Sequence, residues 1–84
     1  MRQINAKYQT SGEITKNDGT PIPVDEPLML FRGKDKVLPQ LMDEYKRLSQ
    51  AVGSPAEHLE AIQAATDKIV AWQKDNQDKV KTPD

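Results

Sequence analysis

Residues 48–62, LSQAVGSPAEHLEAI, turn the chain back on itself. Before Gly53, apolar residues recur at three- and four-residue steps: Leu38, Leu41, Met42, Tyr45, Leu48 and Val52. That period is one face of an amphipathic helix. Gly53 ends it, because glycine enters the left-handed conformation that closes helices without a Cβ penalty. Ser54-Pro55-Ala56-Glu57 then carries helix-start signals: Ser54 as cap, Pro55 at the first position and Glu57 three residues after the cap. A second stripe follows at Leu59, Ile62, Ala65, Ile69 and Trp72. The short Gly-Ser link makes the two helices antiparallel neighbours. The spacing predicts a helical hairpin over 35–76, with Asp35 as N-cap and Pro39 held within the first turn. The tail DKVKTPD, 78–84, is polar and expected to fray.

Upstream, the pattern shifts towards strands. Ile4, Ala6 and Tyr8 alternate with Gln3, Asn5 and Lys7, a weak strand over 2–8, and TSGE (10–13) reads as a turn. Asp18-Gly19 is a favoured hairpin pair between EIT and PIPV. Pro21 and Pro23 confine that second arm to an edge or an extended loop. PLMLF, 27–31, is nearly continuous in apolar character and reads as a strand covered on both faces. The expected fold class is α+β in a single domain, 1–84: a small N-terminal β element (1–34) packed on an antiparallel two-helix hairpin (35–76), with a polar tail (77–84).

Composition narrows the function. With 84 residues, 36% apolar and 30% charged, the chain is near the size where one core supplies only a few kcal/mol. Self-association is the usual remedy, so a homo-oligomer is expected. The absence of cysteine excludes disulfides and thiolate metal sites. No apolar run approaches a membrane span, and MRQINAKYQT lacks a signal-peptide core, so the expected location is the cytoplasm, away from membranes. A net charge of −1 argues against binding duplex nucleic acid, which normally shows as a basic excess.

Catalytic groups are scarce. His58 is the only histidine, placed in the first turn of the second helix, where a surface or capping role is commoner than catalysis. The carboxylates Asp43, Glu44, Asp75 and Asp78 read as solvated helix charges rather than metal ligands. No phosphate loop, nucleophile elbow or HExxH occurs. The chain is read as a non-enzyme, without cofactor or metal.

The densest chemistry is Arg32-Gly33-Lys34-Asp35-Lys36 at a helix start. Unpaired N–H groups and the helix dipole favour an anion there; Arg32 offers a planar fork and Lys34 a mobile charge. The bland reading is a charged turn in which Asp35 caps the same N–H groups. Tyr8, beside Lys7 and followed by Thr10 and Ser11, is a second candidate: a ring to stack on a base, with hydroxyls for phosphate or ribose. Its alternative is packing at a sheet edge.

The segment EPLMLFRGKDKVLPQLMDEY (26–45), with KYQTSGE (7–13) before it and SPAEHLEAIQAATDKIVAWQ (54–73) after it, resembles a group of very small phage-encoded proteins. The shared outline is a Glu-Pro-apolar-Arg-x-x-Asp box, a helical hairpin and an aromatic helix end, covering about residues 5–75. Some small phage proteins of this size sequester the cyclic dinucleotide signals of bacterial immunity without cleaving them. The resemblance implies a phage origin, an oligomer and a ligand pocket at a subunit boundary. Arg32 and Lys34 would then meet phosphates, Tyr8 a base, and Thr10 or Ser11 the sugar-phosphate edge of a small anionic ligand of the cyclic dinucleotide class. The rival expectation is a protein-interaction module, an inhibitor or adaptor with no small-molecule ligand.

Overall fold

The computed structural model describes residues 2–5 and 8–82, and the chain divides into two compact units, 1–30 and 31–84, each described by itself.

In the first unit, β1 (Arg2–Asn5) pairs antiparallel with β2 (Tyr8–Thr10). The register joins Arg2 to Thr10, Gln3 to Gln9 and Asn5 to Tyr8, with a shift between Gln3 and Asn5. The single strand expected over 2–8 is therefore two strands; Ala6 and Lys7 lie outside the described residues. The Asp18-Gly19 turn forms as expected. Gly19 takes φ +90°, its N–H donates to the Lys16 carbonyl at 2.9 Å, and the Thr20 N–H donates to Asp18 Oδ1 at 2.9 Å. Its arms meet at one bridge, Thr15 to Pro21, supported by the Ile22 N–H donating to the Ile14 carbonyl at 3.0 Å.

PLMLF is a correction. Residues 27–31 belong to no strand, and Met29, Leu30 and Phe31 are exposed. Pro27 lacks an N–H, and the nearest arm in sequence lacks two more at Pro21 and Pro23, so the region is poor in ladder donors.

In the second unit, α1 (Leu38–Ala51) packs on α2 (Ala56–Asp75) as a helical hairpin. α1 begins later than the Asp35 cap predicts, with Val37 at the N-cap. Asp35 instead builds the preceding turn: its Oδ1 accepts the Val37 N–H at 3.0 Å and its carbonyl accepts the Leu38 N–H at 3.1 Å. Starting at Leu38 keeps Pro39 in the first turn, where its ring meets no upstream helical carbonyl. At the other end Gly53 takes φ +86°. The Gly53 N–H donates to the Gln50 carbonyl at 3.1 Å, and the Ser54 N–H to the Ser49 carbonyl at 3.0 Å. This paired closure is a Schellman motif. Helix α2 starts one position later than expected: Pro55, extended at ψ 153°, is the N-cap in place of Ser54, and its carbonyl accepts the His58 and Leu59 N–H groups at 3.0 and 3.2 Å.

The interface between the helices is small. Leu38 and Ile62 are its buried apolar residues, joined by half-buried Met42, Leu59 and Ile69. Buried Thr66 satisfies its hydroxyl by donating to the Ile62 carbonyl at 2.8 Å. Along one edge, Lys46 Nζ donates to Gln63 Oε1 at 2.8 Å, and Gln63 Nε2 donates to Asp67 Oδ1 at 2.8 Å.

The expected frayed tail is a second correction as far as Thr82; Pro83 and Asp84 lie outside the described residues. Asn76 Nδ2 donates to the Trp72 carbonyl, a 3₁₀ turn covers Gln77–Lys79, and Lys81 forms a parallel bridge with Asp35. The Lys36 N–H donates to the Lys81 carbonyl at 2.8 Å and the Lys81 N–H to the Lys34 carbonyl at 3.0 Å. Val80, half-buried, is the apolar anchor in an otherwise polar tail.

Candidate functional site

The charge box is a braced turn. Arg32 is exposed, and its carbonyl accepts the Asp35 N–H at 3.0 Å. Gly33, Lys34 and Asp35 are half-buried. From α2, Gln73 Nε2 donates to both the Gly33 carbonyl (2.9 Å) and the Asp35 carbonyl (2.7 Å). A Cβ at Gly33 would stand 4.0 Å from Trp72 Cε3, so what the glycine approaches is the indole. With the Lys81 bridge, this turn is held from two sides.

The helix tip is mostly closed. The Val37 N–H goes to the Asp35 carboxylate, the Leu38 N–H to the Asp35 carbonyl, and Pro39 has no N–H to offer. An anion there would also face the negative charge of Asp35.

An open groove of about 480 Å³ lies beside the box, lined by Lys36, Val70, Gln73, Lys74, Gln77 and Val80. Neither Arg32 nor Lys34 lines it. Sequence reasoning missed Lys74 and Gln77 because it left the tail unfolded. Val80, an apolar residue inside a charged tail, was the available signal that the tail returns.

The other sequence candidates belong to the first unit. Tyr8 and Thr10 are half-buried two positions apart on β2, hence on one face of the strand. Thr10 Oγ1 donates to the Gly12 carbonyl at 3.2 Å, and Ser11 is exposed. Among the described residues, no cluster of three or more His, Cys, Asp or Glu has metal-binding geometry, and no helix is long and apolar enough to cross a membrane.

The largest unexplained feature is apolar. Leu41, Tyr45, Leu48 and Val52 recur at 4-3-4 spacing, yet they remain 40%, 50%, 50% and 83% exposed. Leu38, Met42, Lys46 and Ser49 are buried or half-buried on the hairpin side of α1, with Pro39 half-buried in its first turn. At 3.6 residues per turn, the exposed stripe lies roughly a quarter-turn from that face. On α2, Ala61, Ala65 and Trp72 are exposed with comparable offset from buried Ile62 and Thr66. Tyr45 and His58 meet edge-on with ring centroids 6.3 Å apart, which puts the two stripes on the same side of the hairpin. The result is a ridge of large residues beside a shelf of alanines.

The Asp18 carboxyl is lowered by its hydrogen bonds with Thr20. Glu44 is lowered by its hydrogen bond with Arg47, whose own value is raised by the same pair.

Comparison with family models, with curated proteins and with solved structures gives no match to this chain.

Proposed function

We propose that the chain is a non-catalytic protein-interaction module that docks through the bare apolar side of its hairpin. One observation carries this reading: the stripe Leu41-Tyr45-Leu48-Val52 has the spacing of a helix-packing seam but is left exposed. Large contiguous apolar surface is costly in water and commonly marks a contact with another protein. A photo-crosslinking residue in place of Tyr45 tests it in cells expressing the chain. The expected result is a discrete protein adduct that is absent when the same residue replaces Gln50, on the opposite side, and lost in the Leu48→Glu background. A chain that stays free of adducts at position 45 ends the reading.

Nucleotide capture is the second reading, favoured by the groove beside the box. Lys36 and Lys74 supply positive charge, Gln73 and Gln77 amides, and Val70 and Val80 an apolar wall. That mixture suits a phosphate joined to a flat base, as in the cyclic dinucleotides that small phage proteins sequester. The closed helix tip weighs on the other side, since it removes the N–H donors an anion would use. Calorimetric titration with a panel of cyclic dinucleotides tests it. Heat that disappears in Lys36→Ala/Lys74→Ala supports capture, and no heat across the panel ends it.

A further inference from the structure

We infer that the occupant of the bare side is a second copy of this chain, two hairpins stacking face to face into an antiparallel four-helix bundle. This rests on the protein-interaction reading and names its partner. The first argument is fit. The side presents large residues on α1 (Leu41, Tyr45, Leu48) next to small ones on α2 (Ala61, Ala65). A two-fold axis parallel to the helices lays each ridge on the other copy's alanine shelf, so one surface supplies both halves of a large-on-small packing. The second argument is area. The exposed apolar residues on this side present on the order of 600 Å², close to the roughly 800 Å² per partner that a stable complex buries. The third is need: Leu38 and Ile62 are the only buried apolar residues among residues 8–82, a small core for a chain of this size. The 4-3-4 spacing also matches the bundle geometry, in which side chains of one helix enter the gaps of its neighbour.

Sedimentation velocity on the full chain is the test, read from about 1 to 200 µM against the 9.5 kDa chain mass. The expected species is a dimer, shifting at least tenfold in dissociation constant with Leu48→Glu while Gln50→Glu leaves it unchanged. Circular dichroism confirms that both variants keep their helices. Because the chain has no cysteine, mixing Leu48→Cys and Ala61→Cys proteins under oxidation reports the packing: a disulfide between the two variants, in excess over either alone, is expected. A monomer throughout the range overturns the inference, as does a dimer indifferent to Leu48→Glu or crosslinked mainly between identical variants. In any of these cases an adduct of position 45 with a different protein leaves the interaction reading standing. No adduct of any kind removes both.

Discussion

The two units are held by different kinds of bond. The first unit rests on backbone pairing and local turns: β1 with β2, and the Asp18-Gly19 turn with its single bridge. None of residues 8–30 is buried. The second unit adds tertiary closure, with buried Leu38 and Ile62, Gln73 reaching the Gly33 and Asp35 carbonyls, and Lys81 bridged to Asp35. Local hydrogen bonds direct a chain but add little net stability each, whereas burial supplies most of it. The units should therefore respond separately to damage.

The widest separation is expected at the core. Ile62→Ala should cost the helical unit about 2–4 kcal/mol, read as the helical signal in guanidinium unfolding. Amide shifts of residues 14–22 should not move; a change in both units would break the contrast. Gly53→Ala comes next, because φ +86° is strained for any residue with a Cβ. A loss of about 1–2 kcal/mol in the same melt is expected. Lys81→Pro removes the N–H donated to the Lys34 carbonyl. It should cost about 1 kcal/mol and speed hydrogen exchange at Lys36 while sparing Leu41.

The smallest effect belongs to the first unit. Asp18 is lowered by Thr20, so the charged carboxylate is the form the turn favours. Its contribution is present above the ordinary aspartate value of about 3.9 and is lost as pH falls through the lower folded value. Chemical shifts of Gly19 and Thr20 across an acid titration should follow that midpoint, and Asp18→Asn should abolish it. A midpoint at or above the ordinary value would contradict the hydrogen-bond assignment.

How far the sequence is legible follows the same division. The hairpin was readable because Gly53 and the two stripes are local signals, and helices are built from local contacts. The Asp18-Gly19 turn was readable for the same reason. PLMLF misled because a strand needs a partner, and composition does not reveal whether one is available. Ser54 misled because Pro55 stays extended at ψ 153°, which moves the N-cap one residue past the serine. The tail was misread because its order comes from a bridge to residue 35, far away in sequence. The stripe positions were legible, but the side they would face was not: Leu41, Tyr45, Leu48 and Val52 look like core by spacing alone. As for the candidate site, the charges at 32–36 were visible, whereas Lys74 and Gln77 join Lys36 only through tertiary contacts that no local pattern reveals.

The clasp between Asp35 and Lys81 closes a loop on the order of 45 residues, and such closure becomes affordable only after the intervening chain has been shortened. The helical hairpin does that shortening, so folding should proceed from the Gly53 turn outward and finish at the tail. Thermal opening should run the other way, with the last joint made being the first to part. The groove containing Lys36 and Lys74 would then exist only in molecules whose tail is latched, which gives residues 80–82 control over whether that surface is present at all.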